Sequence, residues 1–158
     1  MPLYLIALGV VVLDQATKWL IEATLSVGQA ILIVPHYFAI VHVLNPGAAF
    51  GLFAERSSAF RNPFFIAISV LAGVMIISYY HRHLQGEWRP TLGLGLILGG
   101  AIGNLIDRLR LGMVVDFLDV HYSQYHWPAF NVADSAISVG VGLMLLDMFL
   151  TSRRAPHP

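Results

Sequence analysis

The chain has no cysteine, which excludes disulfides and thiolate metal sites. It is also poor in charge: 11% of its 158 residues are Asp, Glu, Lys or Arg, where a soluble domain carries about a quarter. Nor is there a basic excess, since Lys plus Arg and Asp plus Glu stand at nine each. Binding a phosphate backbone needs such an excess, so no nucleic-acid partner is expected. The apolar run Leu3 to Leu13 lacks the basic lead-in of a signal peptide. Asp14 and Lys18 follow it rather than a small-residue cleavage site, so it is expected to be a retained membrane helix.

What is present is hydrophobic, at 57% of the residues. Four stretches, roughly 3–21, 63–80, 91–108 and 132–150, approach the length that crosses a bilayer, about 20 residues. A single integral membrane domain over 1–158 is expected, all-α in its membrane part. The connector 81–90 is short and polar, and the other two, about 22–62 and 109–131, leave from the opposite face. In the first of these, Ile31 to Val34 and Tyr37 to Leu44 are rich in β-branched and aromatic residues, with Pro35 and His36 between them. They predict a hairpin or small sheet at the interface, and Asn45-Pro46-Gly47 predicts a turn after it. Arg82, Arg89, Arg153 and Arg154 fall on one side and Arg56, Arg61, Arg108 and Arg110 on the other. Positive charge is therefore balanced and sets no orientation.

The polar residues converge on one face. Asp14 and Lys18 lie near the exit of the first helix, and Asn104, Asp107 and Arg108 near the exit of the third, on the same side. Asp134 opens the fourth helix, Asp116 lies in the loop before it, and Asn45 sits in the first long connector. Only Asp147 is placed near the far end. Carboxylates at a membrane boundary are costly, and two on one face suggest an acid/base pair sharing a proton.

Each group also has a structural reading. Asp14 and Lys18, four apart, form an ion pair on one helical face, with Glu22 one turn further. Asn104, Asp107 and Arg108 share a face as supports, and Gly95, Gly99 and Gly103 repeat at the spacing of tight helix packing. Asn131 and Asp134 fit a capping box, a role compatible with catalysis because a helix N-terminus favours negative charge. Spacing does not choose between Asp116 and Asp119. His121 and His126 are five apart with no His-Glu-x-x-His helix, so no zinc site is expected. Ser135 lies in no Gly-x-Ser-x-Gly elbow.

Taken together, five blocks resemble the bacterial lipoprotein signal peptidases, or signal peptidase II. In order they are Leu13-Asp14-Gln-Ala-Thr-Lys18, Asn45-Pro-Gly47-Ala-Ala-Phe50, Gly99-Gly-Ala-Ile-Gly-Asn104-Leu-Ile-Asp107-Arg108, Val114-Val-Asp116-Phe117 and Phe130-Asn131-Val-Ala-Asp134-Ser135. The resemblance implies catalytic Asp116 and Asp134, both termini in the cytoplasm, and a site toward the periplasm or outer leaflet of the inner membrane. It likens the hairpin connector to the family's interfacial β-cradle. It also implies a monomer among membrane lipid, and a diacylglyceryl-modified prolipoprotein substrate cut just before the lipidated cysteine. Globomycin sensitivity is implied as well, with no metal or organic cofactor. Pro46 departs from the family, which often has Thr there, and Asp119 stands where an apolar residue is common. A rival expectation is a small ion- or proton-translocating subunit using the same aspartates.

Overall fold

A bilayer core offers the backbone no hydrogen-bond partner, so apolar stretches must satisfy their own groups as helices. The structure is a computed structural model and describes residues 2–47, 58–84 and 86–152. Its elements in order are α1 (Pro2–Thr24), β1 (Ala30–Val34), β2 (Phe38–Asn45), α2 (Ser58–His83), α3 (Trp88–Leu111), β3 (Val114–Tyr122), β4 (Tyr125–His126) and α4 (Val132–Ser152). All four helices are long and apolar enough to cross a membrane. Arg56, Arg153 and Arg154, half the basis of the orientation argument for one side and part of it for the other, lie outside the described residues, as do Ala48 to Phe50.

The helices run longer than the apolar stretches alone. α2 starts at Ser58 and carries Pro63 inside it, where the proline was expected to open the helix. Proline removes the bond back to residue 59, which belongs to the opening turn, so the helix continues through it. The connector expected over 81–90 contracts to the few residues between His83 and Trp88.

α3 is the central helix and packs against the other three. Its glycines make this possible, because a side chain at those positions would occupy a neighbour's place. A Cβ on Gly99 would lie 2.6 Å from Val10 Cβ and 2.8 Å from the Ala7 carbonyl oxygen of α1. One on Gly100 would lie 2.4 Å from the Ala133 carbonyl oxygen of α4. Leu5, Leu8, Leu71, Met75 and Met148 remain exposed on the outer faces, the surface a hydrocarbon solvent accepts.

The second long connector departs from expectation. Read as loop, 109–131 in fact supplies β3 and β4 and completes an antiparallel four-stranded sheet in the order β1-β2-β3-β4. Gly112, at φ 71°, ends α3 by donating its N–H to the Arg108 carbonyl, and the chain turns directly into β3. β3 pairs with β2 so that Asp116 lies opposite Val43 and Val114 opposite Asn45. Asp116 is therefore a strand residue, held far more firmly than a loop residue would be. Ile21, Leu25, Val115 and Phe117 form the cluster that seats this sheet on the end of α1.

The glycine contacts give a test. Gly99→Ala should destabilise the protein by about 1–3 kcal/mol through overpacking. Gly142→Ala has open space around it and should be neutral or stabilising by up to about 1 kcal/mol, the helix-propensity difference. Thermal unfolding of the two variants in one detergent compares them.

Candidate active site

Lys18 and Asp14 lie on adjacent turns of α1, and both are fully buried. The Lys18 ammonium sits 2.9 Å from Asp14 and 2.8 Å from Asp107 of α3. It thus joins two helices, and its third hydrogen bond goes to Asn104 Oδ1 at 3.0 Å. Gln15, quoted in the first sequence block but given no role there, braces both acids: its amide donates to Asp14, to Asp107 and to the Gly103 carbonyl. Asp14 also accepts the backbone N–H of Ala133 at 2.9 Å, and Asp107 that of Val115 at 3.1 Å. The first ties down the start of α4 and the second the start of β3. Glu22, expected to extend the Asp14–Lys18 ladder, turns instead to Arg110 of α3 and pairs with it.

An ammonium can only donate, and that fact propagates outward. Because Lys18 occupies Asn104 Oδ1, the Asn104 amide nitrogen faces the other way and donates to Asp134 Oδ1 at 2.8 Å. Asn131 is fully buried and serves both acids. Its side-chain amide donates to Asp116 Oδ1 at 2.8 Å, while its backbone N–H reaches Asp134 Oδ2 at 3.3 Å. Its own Oδ1 accepts the Asp134 N–H at 2.9 Å, which forms the predicted capping box. Capping and a place in the site are therefore combined in Asp134.

Asn45 completes the shell. Its Oδ1 accepts the Gly47 N–H at 2.9 Å, and its amide nitrogen donates to Asp116 Oδ2 at 2.9 Å. The turn uses the donor of Gly47 and none from residue 46, so Pro46 fits without loss and stiffens it. Arg108 donates to the Gly47 carbonyl at 3.3 Å and to the Asn104 carbonyl at 3.4 Å, and lies over the Phe65 ring.

These groups border a cleft of about 530 Å³. Asn45, Gly47, Asn104, Arg108, Asp116 and Asp134 line it, whereas Asp14, Lys18, Asp107 and Asn131 form the buried framework behind. Trp127, Pro128, Ala129 and Phe130, which sequence reasoning did not single out, form one wall. Burial, followed by the negative charge of Asp134, pushes the Asp116 carboxyl up to about 7. Hydrogen bonds from Asn45 and Asn131 and the charge of Lys18 oppose that rise. Asp119 is not in the cleft; it lies further along β3 beside His126, at 2.9 Å.

A polytopic membrane protein with two amide-held carboxylates facing one cleft is equipped for proton-transfer chemistry on a bound substrate. The comparisons identify which one. Residues 6–150 match the family model described as Signal peptidase (SPase) II. The lipoprotein signal peptidase of Syntrophotalea carbinolica is 53% identical over 144 residues, covering 91% of this chain and 88% of that one. That of Geobacter sulfurreducens is 49% identical over 149 residues, covering 94% and 92%. A bacterial membrane enzyme solved by the in meso method at 2.3 Å superposes with a TM-score of 0.86 at 32% identity, covering 98% of this chain and 92% of that one. The chain belongs to the signal peptidase II family.

Removing Lys18 should test the framework. Lys18→Met leaves Asp14 and Asp107 buried without their cation and should cost about 3–5 kcal/mol. Adding Asp14→Asn should recover part of the loss, with the remainder held by Asp107. A double variant no more stable than Lys18→Met in thermal unfolding would show that the two are not coupled.

Proposed function

We propose that this signal peptidase II is an aspartic endopeptidase whose catalytic pair is Asp116 and Asp134. Its substrate is a prolipoprotein with a diacylglyceryl-modified cysteine, and it cuts the bond just before that cysteine. The observation that carries the reading is the shared Asn131, which donates to both carboxylates at the edge of one cleft. Family membership supports the substrate class.

The chemistry follows from one proton held between two acids. The ionised carboxylate takes a proton from water, and the resulting hydroxide adds to the scissile carbonyl carbon. The protonated carboxyl donates a hydrogen bond to the carbonyl oxygen as charge develops there. Collapse of the tetrahedral intermediate breaks the C–N bond, with the proton delivered to the leaving nitrogen. The site works as a unit because Lys18 fixes Asn104, Asn131 spans both acids, and Asn45 holds Asp116 from the other side. Arg108 and the Asn45–Gly47 turn are placed to receive the peptide, while lipid chains rest against the apolar helix faces.

Four crossings put both termini on one side. We place them in the cytoplasm, with the cleft toward the periplasm or outer leaflet of the bacterial inner membrane. We take the chain to act as a monomer among membrane lipid. Ion translocation is disfavoured because, among the described residues, the hydrogen-bonded polar network lies at one face, while Asp147 shares the other end of α4 with Arg89 rather than continuing that network.

Asp116→Asn and Asp134→Asn should each lower cleavage of a lipidated precursor by at least about 10²–10⁴-fold while the protein still inserts and folds. Asp147→Asn should cleave normally. Substantial turnover by either of the first two would remove the assignment. The pH profile provides a second check. As pH rises through about 7 Asp116 loses its proton, the acid is gone, and kcat/KM should fall; at low pH a second proton should remove the base. Asn45→Ala deletes a bond that favours ionised Asp116, so the alkaline limb should move up by about one unit. A limb that moves down, or not at all, would contradict the role of Asp116.

A further inference from the structure

The β3–β4 hairpin gathers three ligating side chains outside the cleft lining. Strand pairing sets His121 directly opposite His126, and Asp119, two residues before His121, shares its face of β3. The imidazole rings stack at a centroid distance of 4.7 Å and 18° between planes. His126 Nδ1 lies 2.9 and 3.0 Å from the two Asp119 oxygens. His121 Nδ1 lies 3.6 Å from the nearer one. All three ligand atoms fall within 4.8 Å of one another. Four donors around zinc at its usual bond length stand about 3.3 Å apart, so a small closing movement would seat an ion.

A second observation points inward. The His121 side chain is only 8% exposed, and its Nδ1 is buried without a hydrogen-bond partner. A buried imidazole nitrogen aimed at a carboxylate beyond hydrogen-bond reach is costly unless something bridges the gap. A cation between Nδ1 and Asp119 is such a bridge.

We propose that Asp119, His121 and His126 form a divalent transition-metal site, with two imidazoles and one carboxylate suited to zinc. The fourth position is left to water. The ion binds the lone pairs of the three ligand atoms and releases any proton they carry. The site also has a structural consequence. β4 is only two residues long and is marginal by itself, yet it leads straight into Trp127 to Phe130, the wall of the cleft. An ion clamping His126 to β3 fixes where that wall begins.

The test uses the full chain in detergent with any affinity tag removed, titrated with Zn²⁺ by calorimetry and with Co²⁺ by absorption. One ion per chain should bind, with a low-symmetry, four-coordinate Co²⁺ spectrum, and Zn²⁺ should raise the unfolding midpoint. His126→Ala removes a half-exposed ligand at little risk to folding and should weaken binding by at least about 10–100-fold. His83→Ala, at the far end of α2, should bind as the unmodified chain does. Unchanged affinity in His126→Ala, or a hydrated octahedral Co²⁺ spectrum, would overturn the proposal and leave an Asp119–His126 ion pair alone.

Discussion

The structure depends on one buried cation. Lys18 stands between Asp14 and Asp107 with no exposure to solvent, in surroundings where an uncompensated charge is very costly. Its three donors are taken by two carboxylates and the Asn104 amide oxygen. That arrangement is satisfiable only when α1 and α3 lie in one register. Asp14 accepts the backbone N–H that begins α4 on its other oxygen, and Asp107 shares the Lys18-bound oxygen with the N–H that begins β3. An ion pair thereby determines where the segments bearing Asp134 and Asp116 start.

From that anchor the hydrogen-bond polarity runs outward without ambiguity. Lys18 orients Asn104, Asn104 points a donor at Asp134, and Asn131 divides itself between Asp134 and Asp116. Each carboxylate meets donors from the protein side and keeps a face for the cleft. The glycines of α3 are part of the same design, since a Cβ at Gly103 would lie 2.5 Å from Asp14 Oδ2. Helix packing and site geometry cannot be altered independently here.

The sheet is the other half of the site. β2 brings Asn45 and β3 brings Asp116, and their pairing makes one the direct support of the other. Building the second acid on a strand, against an acid on the first turn of a helix, holds both within a rigid frame. The wall formed by Trp127 to Phe130 hangs from the same strand.

Much of this was legible in the chain itself because it is local. Apolar length predicted four spans, β-branched runs predicted β1 and β2, the four-residue spacing predicted the Asp14–Lys18 pair, and Asn131 with Asp134 predicted the cap. Each rests on neighbours within a turn or two of backbone. β3 escaped because its carboxylates and histidine interrupt an otherwise strand-like run and resemble loop composition. The second partner of Lys18, the turn of Glu22 toward Arg110, the bridging by Asn131 and the meeting of His121 with His126 all depend on strand register and helix contact between distant segments. No local periodicity encodes those distances; they exist only once α1, α3, α4 and the sheet are packed together.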